Sequence, residues 1–156
     1  MALNIAKRIR AEVGDSFPVF FRLSGTDWAE FPEEDDTTGE WKQWGVTQSS
    51  QLVRRLKEQA GVDLVDVSSG GLWPQQKIPT GPSYQVPLAE YIKQRNPDVL
   101  ISTVGLITDG QQAEDILQEG YADVVRAARE FLRDTDFVLN VRVDYLNEVI
   151  MGVLTH

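Results

Sequence analysis

Cysteine is absent from this chain of 156 residues, and histidine occurs once, at the terminal His156. Without cysteine the chain can form no disulfide, carries no thiolate nucleophile and offers no sulfur ligand to zinc or to an iron–sulfur cluster. One histidine also leaves little imidazole for acid–base chemistry. Any chemistry must therefore come from carboxylates, lysines, arginines, hydroxyl groups, the backbone or a bound cofactor.

Positive charge is scarce as well, since 15 lysines and arginines face 24 acidic residues and the net charge is −9. Such a balance repels phosphate backbones and anionic lipids, so we expect no nucleic-acid partner and no membrane partner. No apolar run has the length of a membrane span or of a secretory signal, which favours a cytoplasmic protein. The 42% hydrophobic content is ordinary for a globular protein and predicts a single folded domain over 1–156.

The chain contains no Gly-x-Gly-x-x-Gly and no Gly-Lys-Ser/Thr motif, which argues against a Rossmann or P-loop fold. What is present is an alternation of apolar runs with amphipathic segments. Strands are predicted over 18–24, 62–68, 99–104 and 122–127, and helices over 3–13, 47–59, 88–95, 111–118, 130–132 and 136–150. Loops are predicted over 26–45 and 72–86.

This alternation predicts an α/β fold of βαβ units with a parallel sheet. Four βα units amount to half of a TIM-type (β/α)8 barrel, a fold that takes about 250 residues when complete. A half-barrel leaves apolar side chains on one face and two unpaired sheet edges. We therefore expect the chain to be completed by self-association into a homo-oligomer or by a complementary half-barrel chain.

The carboxyl ends of the strands are where barrels of this kind place their active sites. That rule selects polar and small residues at four strand ends: Arg22, Ser24, Ser68, Ser69, Gly105, Leu106, Ala128 and Arg129. A phosphate needs backbone N–H groups, small residues and a cation, and the segments after the third and fourth strands supply them. The alternative is that Gly105 is a turn glycine and Arg129 a surface cation paired with Glu130 or Asp134.

Four segments, FFRLSGTDW, DLVDVSSGG, TVGLITDG and AAREFLRD, resemble in order and spacing the C-terminal half of the Old Yellow Enzyme family of NAD(P)H:flavin oxidoreductases. The segment PSYQVPLAEYIK supports the same alignment. The resemblance implies a barrel that holds FMN, is reduced by NAD(P)H and transfers hydride to activated C=C bonds. It places Arg22 at the flavin pyrimidine edge and Ser68 near the ribityl phosphate. The phosphate cradle would be formed by Val104, Gly105, Ala128 and Arg129.

Two positions depart from the family pattern. Ala128 stands where the family usually has glycine, and Arg126 puts a charge at a strand position that is normally apolar. Both are expected to weaken FMN binding.

The groups that the family draws from its N-terminal strands have no counterpart here, among them the acceptor-binding histidine and the usual tyrosine proton donor. A general acid is therefore expected from Asp27, Asp66, Tyr84, Asp109 or a partner subunit. Among these we predict Asp66 and Tyr84, together with Arg22, as the catalytic residues. Asp66 lies within a strand, where an aspartate is more often a structural hydrogen-bond acceptor.

The segment before the second predicted helix is rich in tryptophan and acid. Trp28, Trp41 and Trp44 could close over a small apolar substrate. Packing between loop and helix is the simpler account and the one that we favour. The acidic run 33–36 lacks the alternating spacing of a calcium loop, so no metal is expected.

Three functions are compatible with the sequence. The first is a flavin oxidoreductase of ene-reductase type that is complete as an assembly. The second is a cofactor-free isomerase or cyclase of a small apolar metabolite. The third is a non-catalytic half-barrel that serves as an interaction module.

Overall fold

The computed structural model describes residues 1–29, 43–71, 74 and 76–142. Helices and strands alternate along the chain in the order α1 (Ala2–Val13), β1 (Phe20–Ser24), α2 (Val46–Ala60), β2 (Leu64–Ser68), α3 (Val86–Arg95), β3 (Leu100–Val104), α4 (Gly110–Gln118), β4 (Val124–Arg126) and α5 (Glu130–Arg133). Residues 137–142 are also helical.

The four strands form one parallel sheet in the order β1-β2-β3-β4. Neighbours in sequence are thus neighbours in space, as successive βα units of a barrel require. A doubly wound Rossmann sheet would instead reverse its strand order at an internal switch point. The prediction of four successive βα units is confirmed.

The outer face of the sheet is the apolar core. Val65 and Val67 of β2 and Ile101 of β3 are fully buried against the helices. The core is completed by apolar residues of α2 and α3 at helical spacing: Val53, Leu56, Ala60, Ala89 and Ile92. The period-2 alternation of the strands and the 3.6-residue period of the helices bring these side chains together.

The observed elements differ from the predicted ones mainly at their ends. The strands begin later than predicted, and β4 has 3 residues. Helix α3 begins at Val86, two residues before the predicted start, with Pro87 in its first turn where a missing N–H breaks no helical bond. Of the helix predicted over 136–150, residues 137–142 are helical. Position 136 lies in a turn, and positions 143–150, like Trp41 and the acidic run 33–36, lie outside the described residues.

The inner face of the sheet has a different composition. Strand register places Arg22 beside Asp66 and Asp66 beside Ser102, so one layer of this face is polar. Phe20, Leu100 and Val124 belong to the same face by alternation, and they are 66%, 51% and 37% exposed. The described residues leave this apolar surface uncovered. Among the helices they contain, none has both the length and the apolar character needed to cross a bilayer.

Candidate functional site

A cleft of about 200 Å³ lies at the carboxyl ends of the strands. It is lined by all six predicted cofactor-binding residues and by Tyr84, that is, by Arg22, Ser68, Tyr84, Val104, Gly105, Ala128 and Arg129. Segments more than 100 residues apart in sequence meet here because parallel strands end at the same edge of the sheet. The cleft also contains residues that were not selected from the sequence, notably Gln85, Thr108, Arg126 and Arg133.

The turn after β3 has a backbone that few residues can adopt. Gly105 has φ +130°, and a Cβ there would lie 2.7 Å from Gln85 Nε2 and 3.0 Å from a Tyr84 ring carbon. Leu106 follows with φ 51°. Gln112 of α4 holds this turn, since its Nε2 donates to Leu106 O at 3.0 Å and to Ser83 Oγ at 2.6 Å. Glycine at 105 is therefore required by conformation and by close packing.

Gln85 ties two strand ends together beneath the cleft. Its Oε1 accepts from Ser69 Oγ at 2.8 Å, and its Nε2 donates to Val104 O at 2.6 Å. The side chain is buried, which makes these bonds costly to lose. The sequence placed Gln85 in a matching segment but gave it no role. The signal that could have found it is a long amide directly before a helix start, between two predicted strand ends.

Backbone donors remain available around the cleft. The N–H groups of Leu106, Ala128 and Arg129 donate to no atom of the part of the chain that the structure describes. Glu130 is paired with Arg133 at 2.7 Å, and the Arg129 guanidinium has no ion pair with the described residues. Because unpaired N–H groups and a cation favour an anionic ligand, this arrangement fits a phosphate. The alternative pairing of Arg129 with Glu130 or Asp134 is not observed.

Asp66 is buried and is not among the residues that line the cleft. Its side chain is 2% exposed, and its Oδ1 accepts from Ser102 Oγ at 2.9 Å. Its Oδ2 lies 2.5 Å from Arg126 Nη1 and 3.5 Å from Arg22 Nε. A carboxylate enclosed in this way cannot reach a ligand directly. The predicted catalytic role of Asp66 thus has no geometric support, and the residue instead holds two arginines.

Arg22 is presented to the cleft by these contacts. Its Nε donates to Ser68 Oγ at 3.1 Å, and its side chain is 59% exposed. Its two terminal nitrogens donate to no atom of residues 1–29, 43–71, 74 and 76–142. An arginine within a strand needs a partner for its charge. Ser68 and Asp66 are the partners of Arg22, and they engage its Nε.

The remaining acid candidates differ in position. Tyr84 lines the cleft, and its hydroxyl has no hydrogen-bond partner within the described ranges. Asp109 caps α4 by accepting from the N–H of Gln112 at 2.8 Å. Asp27 accepts from the N–H of Trp44 at 3.1 Å. Asp109 and Asp27 thus accept backbone hydrogen bonds that stabilise the fold. Of the three candidates, Tyr84 is the one that lines the cleft.

The cleft is smaller than the 300–1,000 Å³ of typical small-molecule pockets, which bury most of their ligand. At about 200 Å³ it has room for a phosphate and the neighbouring part of a larger molecule. These residues therefore form one side of a binding site.

Comparison with known proteins gives a consistent result. The family model of the NADH:flavin oxidoreductase / NADH oxidase family matches residues 1–147. An NADH:flavin oxidoreductase of Gibberella zeae is 41% identical over 96% of this chain and 38% of its own length. NADPH dehydrogenases of a Geobacillus species and of Bacillus subtilis are 46% and 39% identical over 79% and 77% of the chain. The chain spans about a third of the length of these curated relatives.

Proposed function

The chain belongs to the NADH:flavin oxidoreductase / NADH oxidase family, and on that premise we propose that it forms the phosphate and pyrimidine side of an FMN site in an NAD(P)H-dependent ene-reductase. The observation that carries this proposal is the convergence of all six predicted cofactor residues on one cleft. Its open donors and cations match an anionic ligand.

The phosphate end is the most fully built part of the proposed site. The N–H groups of Leu106, Ala128 and Arg129, which have no partner among the described residues, are suited to phosphate oxygens. The Arg129 guanidinium, unpaired in the same part of the chain, adds the countercharge. The conformation of Gly105 fixes where the turn lies. Ala128 still exposes its backbone to the cleft, although its methyl group is expected to reduce affinity relative to glycine.

The pyrimidine end is assigned to Arg22. Its Nε is fixed by Ser68, and its terminal nitrogens have no partner in the part of the chain that the structure describes, so it can present a charge at one place. When bound, FMN supplies hydride transfer from NAD(P)H to an activated C=C bond, and a fixed cation beside the ring favours its reduced, anionic form. Arg22 is proposed as that cation.

Tyr84 is proposed as the proton donor of the reaction. Reduction of a C=C bond needs a proton on the carbon that does not receive hydride. Tyr84 lines the cleft, and its hydroxyl is bound to no other group of the described residues. A positioned general acid of this kind contributes about a 10²–10⁴-fold rate increase.

We also propose that the inner face of the sheet is covered in the active assembly by further βα units. Phe20, Leu100 and Val124 are exposed there, and further residues are needed to enclose a whole flavin in the cleft. A second copy of this chain would supply four further strands and bring the total to that of a barrel. Light scattering tests this assembly, and a chain that stays monomeric while binding FMN tightly would contradict it.

Flavin titration tests the site itself. We expect quenching of FMN fluorescence by the wild-type chain and at least tenfold weaker FMN binding by Arg129→Met, or about 1.4 kcal/mol. Riboflavin, which lacks the phosphate, should bind both proteins equally. Arg8→Met removes the same charge from the exposed side of α1 and should change neither affinity. Equal losses for FMN and riboflavin, or no flavin binding by the wild type, would refute the proposal.

A further inference from the structure

Arg126 occupies an unexpected place at the end of β4. Its guanidinium reaches across β3 to Asp66, where Nη1 lies 2.5 Å from Oδ2. The same oxygen lies 3.5 Å from Arg22 Nε, a weaker contact. Asp66 is thus shared by two arginines, and the nearer one comes from the strand position where the sequence predicted a disturbance of the site.

The charges of this cluster do not cancel. One buried carboxylate faces two guanidiniums, so a single positive charge remains at the floor of the cleft. Both arginine side chains are about half exposed, at 59% for Arg22 and 49% for Arg126. Without Arg126, the buried Asp66 would have one cationic partner, Arg22, and the pair would be neutral.

Burial determines which group must be satisfied. A carboxylate that is 2% exposed needs a charged partner, because an unpaired buried charge is far more costly than an exposed one. Ser102 supplies one hydrogen bond to Oδ1 but no charge. If Arg126 did not serve as that partner, Asp66 would draw Arg22 inward and away from the ligand.

We propose that Arg126 is a positioning residue that keeps the charge of Arg22 available to the ligand by engaging Asp66 in its place. The inference rests on the proposed function for its ligand, and it assigns Arg126 and Asp66 a joint role in setting how strongly the site favours a reduced, anionic flavin. It also reverses the expectation that Arg126 weakens the site.

The potential of bound FMN tests this role in the full chain. Arg126→Met should weaken binding of reduced FMN about tenfold more than that of oxidised FMN, which lowers the two-electron midpoint potential by about 30 mV. Arg126→Lys should recover most of this shift because it restores the charge. Arg8→Met should leave the potential unchanged.

Removing the carboxylate instead of the arginine should shift the midpoint potential of bound FMN in the opposite direction. Asp66→Asn leaves two cations without their carboxylate, so the potential should rise, provided that thermal unfolding shows a folded protein. A purely structural role of the cluster would move stability in both variants but would not shift the potential in opposite directions. An unchanged potential in folded Arg126→Met would overturn the inference.

A measurement without flavin separates this inference from the proposed function. The Nε–H signal of Arg22 in a ¹⁵N NMR spectrum can be assigned by its loss in Arg22→Lys. In Arg126→Met it should shift and exchange more slowly, because Asp66 turns fully to Arg22. A signal that does not move overturns the inference even if FMN binds. If the wild-type chain binds no FMN, the proposed function is refuted. A shift of the Arg22 Nε–H signal in Arg126→Met would in that case still support the ion pair between Arg126 and Asp66.

Discussion

The two ends of the sheet each carry a cluster of arginine and aspartate, and the clusters are built in opposite ways. At the amino end, Arg10 lies 2.6 Å from Asp63 and also donates to the carbonyls of Gly14, Phe17 and Gly61. Arg10 is 12% exposed and Asp63 is 42% exposed. At the carboxyl end, the carboxylate is buried and the arginines are half exposed.

This difference shows how the role of an arginine can be read from its unused donors. Arg10 directs its terminal nitrogens at the chain itself and joins α1, the segment before β1 and the segment before β2. Arg22 makes one hydrogen bond within the described chain and leaves its terminal nitrogens open. A saturated guanidinium stabilises the fold, whereas an unsaturated one offers its charge to a ligand.

The largest predicted effect comes from removing the saturated arginine. Arg10→Met removes the side-chain donor to the carbonyls of Gly14, Phe17 and Gly61 and takes from Asp63 its cationic partner, while the Val19 N–H still donates to that carboxylate. We expect a loss of about 2–3 kcal/mol in the free energy of unfolding. Urea unfolding followed by tryptophan fluorescence measures it. Arg22→Met is the matched variant at the other end and should cost less than about 1 kcal/mol, since Arg126 still pairs Asp66. Equal losses would remove the distinction between the clusters.

A smaller loss in the free energy of unfolding is expected when a glycine at either end of the sheet is replaced by alanine. Gly105→Ala meets both a positive φ and close contacts, so it should cost about 2 kcal/mol and weaken FMN binding. Gly120 precedes β4 at the amino end and has φ +71° with no atom within 4 Å of an added Cβ. Gly120→Ala should therefore cost about 1 kcal/mol and leave FMN affinity unchanged. The contrast fails if both variants lose the same stability and the same affinity.

The smallest predicted effect is the pH dependence of the stability that Asp63 contributes. The Val19 N–H, which donates to Asp63, and Arg10 beside it hold the pKa of Asp63 below 3.8, against the opposing effect of burial. Because the pKa is lowered on folding, the stabilisation by Asp63 is fully present above pH 3.8 and is lost as the pH falls through the lower, folded-state value. Asp63→Asn should thus be less stable than the wild type at pH 7, with a difference that shrinks in strong acid. A difference independent of pH would contradict this assignment.

Much of the fold follows from local sequence patterns. The apolar runs ending at Ser24, Ser68 and Val104 and the helical spacing between them predicted four successive βα units, because periods of 2 and 3.6 residues separate strands from helices. The resemblance and the rule that barrels bind ligands at strand ends then selected the residues that line the cleft.

The pairing of charges could not be predicted in the same way. Arg126 and Asp66 are 60 residues apart, and their contact depends on a side chain crossing an intervening strand. Gln85 joins Ser69 to Val104, and Arg10 joins three separate segments. Each of these polar contacts forms only if donor and acceptor are placed to within a few tenths of an ångström. The periodicity of a sequence carries no information at that precision.

Residue spacing alone dictates which side chains face the core and which residues end the strands, because periods of 2 and 3.6 residues place side chains on defined faces. It therefore also dictates which residues meet at one edge of the sheet. Which of these residues are buried, and which charges they pair with, depends on packing in three dimensions. Packing buries Asp66 between two arginines, saturates Arg10 and leaves the terminal nitrogens of Arg22 without a partner among the described residues. The reason is that the cost of burying a charge is set by its neighbours in space and not by its neighbours in the chain.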